Sequence, residues 1–183
     1  MNIEHPAKVP IDALRANVSV SFEESRAMPP QVYTSKEFNK TELEQIFKKD
    51  WFCVGRASAL AKPGDYVTCE LAEQPVIVLR DQNHPLRAMS NVCRHRMSTL
   101  LNGSGSAKVI VCPYHAWTYN LDGSLRGAPA MNANKAFCKN QYKLPTIACE
   151  EWLGWVFINL NPDAKPVSQE LTEVQELIKG YDM

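Results

Sequence analysis

Asn91–Tyr119, NVCRHRMSTLLNGSGSAKVIVCPYHAWTY, decides how this chain is read. It holds two short loops, Cys93-Arg94-His95 and Cys112-Pro113-Tyr114-His115, with sixteen residues between His95 and Cys112. Each loop offers one thiolate and one imidazole. A [2Fe-2S] cluster with two cysteines on one iron and two histidines on the other asks for that stoichiometry, and one Cys and one His per loop lets both loops bridge both irons. Two other uses of these residues stay open. A structural zinc site also takes Cys2His2, but it groups Cys with Cys and His with His, about two to five residues apart. Here the pairs are mixed, and a single residue separates Cys93 from His95. The third reading is a disulfide between the two cysteines with incidental histidines.

Around the ligands the chain resembles one branch of the Rieske proteins. This is the N-terminal [2Fe-2S] domain in the large (alpha) subunit of Rieske non-haem iron oxygenases, of the ring-hydroxylating and choline- or N-demethylating type. The resemblance runs from about Tyr33 to Pro166. It rests on Cys93-Arg94-His95-Arg96, on Cys112-Pro113-Tyr114-His115 followed by Trp117 and Tyr119, and on the hairpin-like Leu121-Asp122-Gly123-Ser124-Leu125. It implies that Cys93, His95, Cys112 and His115 hold the cluster and that Arg94, Arg96, Tyr114, Trp117 and Tyr119 surround it. The family usually carries Gly after the Arg of the first loop and after the His of the second, where this chain has Met97 and Ala116. A Cβ at a left-handed position costs about 1 kcal/mol, so these departures bear on loop geometry more than on cluster binding.

The respiratory branch carries an extra cysteine in each loop, forming a disulfide, and a serine whose hydroxyl bonds a bridging sulfide. Here Met97 and Tyr114 stand in the cysteine places and Trp117 in the serine place. Fewer hydrogen bonds to sulfur stabilise the reduced cluster less, so the potential is expected in the lower part of the Rieske range. Tyr119 stands where the family's cluster-bonding tyrosine would be and recovers part of that loss.

The 183 residues, 45% hydrophobic, suit one domain with extensions. We place an arm and helix at 1–50, the Rieske domain at 51–166, and at 167–183 the start of a helix or linker toward a catalytic domain. Twenty basic and twenty acidic residues give zero formal charge, which favours neither nucleic acid nor an anionic membrane as partner. The start, MNIEHPAKVP, lacks the apolar run of a signal peptide, and a reducing cytoplasm is the expected setting. Cys53, Cys69, Cys138 and Cys149 read as small buried hydrophobes. No stretch approaches the roughly 18 apolar residues of a membrane span.

The fold class expected is mainly β, an antiparallel Rieske-type sheet with a two-loop cluster-binding tip. Strands are read at Trp51–Gly55, Tyr66–Leu71, Pro75–Leu79, Leu86–Val92, Val109–Val111, Ile147–Glu150 and Trp155–Leu160. Asp81 to Pro85 reads as a turn with His84 exposed, and Asn102 to Ser106 as a flexible reversal. The two ligand loops are expected to hang from neighbouring strands. Leu121-Asp122-Gly123 marks a hairpin, residues 127–143 cover one side, and Trp152 and Trp155 fill the core or an interdomain seam. A capping box of Thr41 with Glu44 opens a helix with Leu43, Ile46 and Phe47 on one buried stripe. A second helical pattern follows Pro166, with Ser168 as N-cap.

Counted formally, the oxidised core with two thiolates and two neutral imidazoles carries about zero charge, against about minus two with four thiolates, which eases reduction. Reduction can then couple to protons on His95 and His115. Arg94 and Arg96 are placed to guide an acidic electron donor, and Tyr114 and Trp117 to shield the cluster. The resemblance further implies a mononuclear Fe(II) held by two His and one carboxylate in a catalytic domain of the same or a neighbouring subunit. With the other two histidines on the cluster, only His5 and His84 remain, so the chain alone is expected to lack an oxygen-activating site. The reading is therefore an electron-transfer domain, passing electrons from a reductase or ferredoxin toward O2-dependent hydroxylation or demethylation; the resemblance alone implies a trimeric protein. The alternative is a stand-alone Rieske-type ferredoxin, though such carriers are usually shorter and lack residues 1–50.

Overall fold

β-Branched and aromatic runs separated by turn residues build most of the chain, and the computed structural model describes residues 8–83, 86–131 and 133–181. His5 and His84 lie outside the described residues. The chain divides into two compact units, 1–49 and 50–183.

The first unit is helical, with α1 at Lys8–Val18, α2 at Gln31–Thr34 and α3 at Lys36–Glu42, followed by a π-helical turn at Leu43–Phe47. The expected capping box does not form. Ser35 caps α3 instead, its Oγ accepting from the Phe38 N–H at 3.1 Å, while Thr41 lies inside the helix and donates to the Glu37 carbonyl at 2.9 Å. The stripe fails for a related reason. The Lys48 N–H bonds to the Leu43 carbonyl five residues back, and this wider turn shifts the helical phase, so positions three and four apart leave the common face. Ile46 is 45% exposed and Phe38 is the buried side chain.

Among its described residues the second unit has ten strands: β1 Phe52–Arg56, β2 Asp65–Leu71, β3 Gln74–Arg80, β4 Leu86–Ser90, β5 Ser104–Ser106, β6 Ile110–Val111, β7 Thr118–Tyr119, β8 Leu125–Gly127, β9 Thr146–Trp152 and β10 Trp155–Asn159. Seven form an antiparallel sheet in the order β1-β10-β9-β4-β3-β2-β5, and β6-β7-β8 form a smaller one. The start of β9 pairs with β4, and the rest of it pairs with β10. The mainly β, antiparallel expectation holds.

Val76 to Leu79 of β3 are all buried, as a strand covered on both faces requires. Ile77, Leu79 and Met89 of the large sheet share one core with Ile110, Tyr119 and Leu125 of the small one. Cys93 and Cys112 belong to the same core, which therefore runs directly beneath both ligand loops.

Several local expectations are corrected. Ser104 to Ser106 form an edge strand on β2, because Gly105 lies against the Tyr66 ring, where a Cβ would come within 3.0 Å of the hydroxyl. The ligand loops do not hang from neighbouring strands, since the first follows β4 of the large sheet and the second joins β6 to β7 of the small one. Cys53 and Cys138 are exposed, and Cys69 and Cys149 are only partly buried. Of the two places expected for Trp152 and Trp155, the core is ruled out and the interdomain seam is untested: both are half-buried on the final hairpin, Trp152 edge-on to Phe157 and Trp155 beneath the Arg56 guanidinium at 4.4 Å. After Pro166 the helical pattern splits into α4, Val167–Glu170, and α5, Thr172–Ile178. Ser168 lies within α4 and caps nothing, because Glu150 Oε2 on β9 accepts from the Val167 N–H at 2.9 Å. Among the described residues no helix is long and apolar enough to cross a membrane.

Candidate metal centre

The two ligand loops share one backbone design. In the first, the Met97 N–H bonds to the Cys93 carbonyl at 3.0 Å and the Cys93 N–H to the Ser98 carbonyl at 2.8 Å. In the second, the Ala116 N–H bonds to the Cys112 carbonyl at 3.0 Å and the Cys112 N–H to the Trp117 carbonyl at 2.8 Å. The offsets from cysteine are the same, and the fourth residue after each is left-handed, with φ 54° at Met97 and 57° at Ala116. These are the positions where the family usually has Gly. The loops keep the left-handed turn and carry the Cβ, at roughly 1–2 kcal/mol each. Both side chains point to solvent, Met97 being 67% exposed, so the Cβ brings no packing clash. One scaffold thus presents His95 two residues after its cysteine and His115 three residues after.

Cys93 and Cys112 are buried at the base of the loops. Tyr119, fully buried on β7, reaches across to the first loop. Its hydroxyl accepts from the Arg94 N–H at 3.0 Å and lies 3.4 Å from Cys93 Sγ. With the amide donating to the oxygen, the phenolic proton is available to the sulfur. Burial, and then the bond to Cys93, push the Tyr119 ionisation well above the usual phenol range, so the phenol keeps that proton. Burial alone would raise the Cys112 thiol, but the His115 and Tyr114 backbone N–H groups, with Cys93 and Ser98, outweigh it and hold the thiol below its ordinary range. That favours thiolate, the ligating form.

His95 is half-buried, and its Nδ1 is a buried nitrogen with no hydrogen-bond partner. Leaving such an atom unsatisfied costs about 1–3 kcal/mol, and a bond to a metal removes the penalty. The donor set therefore fits a metal group. Burial, with His115 and Arg96 nearby, lowers the His95 pKa and keeps the imidazole neutral for ligation. The His95 and His115 rings meet edge to face, centroids 4.8 Å apart. His95 stacks on buried Trp117 at 4.7 Å, whereas exposed His115 lies against Tyr114 at 3.7 Å, itself 58% exposed. Among the described residues no three His, Cys, Asp or Glu side chains converge on a single point, as one tetrahedral ion needs. Two donors on each of two irons need no such point.

Arg94 in the first loop and Arg96 just after it are exposed, and the first also contributes its backbone N–H to Tyr119. Trp117 and Tyr114 differ, since only Trp117 is buried. Three contributors escaped the sequence. Ser98 acts on Cys112 from the opposite loop, and Phe137 and Tyr142 pack edge-on against Trp117. The only signal for the last two was their aromatic character in a segment of weak periodicity.

An antiparallel β domain that offers paired Cys and His on twin loops defines a class of electron-transfer fold. The chain belongs to the Rieske [2Fe-2S] domain family, which residues 50–148 match. It is 43% identical to the carnitine monooxygenase oxygenase subunit of Acinetobacter pittii, over 81% of this chain and 40% of that one. It is 31% identical to the glycine betaine monooxygenase oxygenase subunit of Pseudomonas aeruginosa, over 99% of this chain and 41% of that one. A solved quaternary ammonium Rieske monooxygenase, described with carnitine oxidation and inter-subunit electron transfer, superposes with TM-score 0.78 at 40% identity. That match covers 83% of this chain and 42% of the other. The chain thus spans about two fifths of the length of these curated relatives.

Proposed function

We propose that Cys93 and Cys112 bind one iron and His95 and His115 the other iron of a [2Fe-2S] cluster. In this reading the chain is the electron-entry domain of a Rieske non-haem iron oxygenase large subunit. The observation that carries the site is the partnerless buried Nδ1 of His95 above twin loops that each supply a buried cysteine. When bound, the cluster supplies a one-electron store. The residues around it divide the remaining work. Tyr119 holds its proton toward Cys93, Trp117 excludes water from one face of His95, and exposed His115 offers its ring to a docking surface, with Arg94 and Arg96 beside it to attract an acidic donor.

The oxygenase reading is favoured over a stand-alone carrier because similarity to an oxygenase subunit extends over 99% of the chain, beyond the Rieske residues and into the 1–50 arm. Accordingly, residues 51–166 are the Rieske domain and 167–183 lead toward a catalytic domain. That domain would hold a mononuclear Fe(II) on two His and one carboxylate, in the same or a neighbouring subunit of a trimer. The donor is a reductase or ferredoxin, the setting the cytoplasm, and the substrate class a quaternary ammonium compound, as in the relatives' names. The test compares the 183-residue chain with a version extended by its downstream coding sequence. Both should be reduced by a reductase with NADH, and only the extended chain should oxidise carnitine or glycine betaine. Oxidation by the short chain would contradict this division of labour, and a native stop after residue 183 would favour the ferredoxin.

A further inference from the structure

The geometry points to Trp117 as the positioning residue for His95, held in place by Phe137 and Tyr142 from a segment outside both ligand loops. This inference rests on the cluster reading above and adds what fixes one of its ligands. The ring torsion of a histidine is intrinsically broad, so backbone and rotamer alone do not set the plane in which Nδ1 points. Here a neighbour sets it. The Trp117 and His95 rings lie 4.7 Å apart and within 5° of parallel, and Trp117 is 2% exposed. Any turn of the imidazole drives a ring edge into the indole face.

The indole cannot yield. Phe137 meets it edge-on at 5.6 Å and 68°, Tyr142 at 5.3 Å and 82°, and those two rings pack on each other at 4.9 Å. Edge-to-face aromatic pairs contribute about 0.5–1.5 kcal/mol beyond area burial, so two such contacts resist a tilt of Trp117. The aromatic neighbours of His115 are exposed Tyr114 and the edge-on His95 ring, and neither is a buried face stacked on it. The two imidazoles are therefore held with unequal stiffness. His95 is stacked on buried Trp117, whereas exposed His115 is held less firmly.

The test uses the chain reconstituted with iron and sulfide, reduced with dithionite and read by electron paramagnetic resonance. A parent chain with no Rieske-type signal overturns the cluster reading itself. Given that signal, Trp117→Leu should keep full iron and sulfide content yet broaden the lines, because the His95 plane becomes distributed. Trp117→Phe, which retains a stacking face, should narrow them again. Phe137→Ala and Tyr142→Ala should broaden the lines in the parent background and add nothing to Trp117→Leu, since they act through the indole. A merely structural aromatic cluster would lose thermal stability in these variants with no change of line shape. The inference is overturned by a parental line shape in Trp117→Leu at full cluster content, or by a Phe137→Ala effect equal in both backgrounds. If Trp117→Leu assembles no cluster, Phe137→Ala and Tyr142→Ala decide, and an unchanged line shape in both overturns it.

Discussion

Tyr119 ties β7 of the small sheet to the first loop, which follows β4 of the large one, and it does so with one oxygen. Tyr119→Phe removes the hydrogen bond to Cys93 and leaves the Arg94 N–H without its acceptor. A bond that strengthens by about 1 kcal/mol on reduction corresponds to roughly 40 mV for one electron, so the potential should fall by up to that order in a redox titration. An unchanged potential would remove the phenol from the cluster's surroundings. Cys93→Ser and His115→Ala each delete a proposed ligand and should abolish the visible charge-transfer absorption of the oxidised protein. The four proposed ligands and Tyr119 could be singled out in the sequence because their spacing is local, within 27 residues from Cys93 to Tyr119. Ser98, Phe137 and Tyr142 were not, because their contacts exist only after the two sheets close over one core.

The ligand loops act as paired elements whose left-handed turn demands what neither sequence supplies. Ala116→Gly should remove a penalty of about 1 kcal/mol at φ 57°, offset in part by a more flexible unfolded chain. The net gain should appear as a higher urea midpoint with unchanged slope, and a lower midpoint would show that the Cβ is supported. The hairpin between β7 and β8 is fastened by a carboxylate. There Asp122 accepts from the Ser124 hydroxyl at 2.6 Å and N–H at 2.9 Å. The hydroxyl bond leads, and against burial it holds the carboxyl below its usual range. A depressed folded value stabilises above the unfolded pKa of about 3.9 and is lost as pH falls through the folded one, so Asp122→Asn should flatten the acid limb of stability below about pH 4. That turn was readable from Leu121-Asp122-Gly123. The turn between β2 and β3 was not, because Ala72 and Glu73, at φ 49° and 64°, occupy places where Gly or Asn is usual. The π-helical turn at Leu43–Phe47 likewise leaves no mark in hydrophobic spacing.

At the scale of the molecule, one core unites the two sheets with the bases of both ligand loops, so cluster and fold should be thermodynamically linked. A group that binds only the folded chain stabilises it, and stripping the iron should lower the melting temperature. Equal melting of loaded and stripped protein would mean that the loops are preformed independently of the metal. The mainly β class was legible because strands of five to seven residues bounded by turn residues carry their own signal. The assignment of the two loops to separate sheets was not, because pairing partners are a tertiary choice. The claim on which the rest depends is the cluster, and iron and acid-labile sulfide assayed together on the purified chain test it most directly. Two of each per chain are expected; zinc, or iron without sulfide, would contradict the cluster.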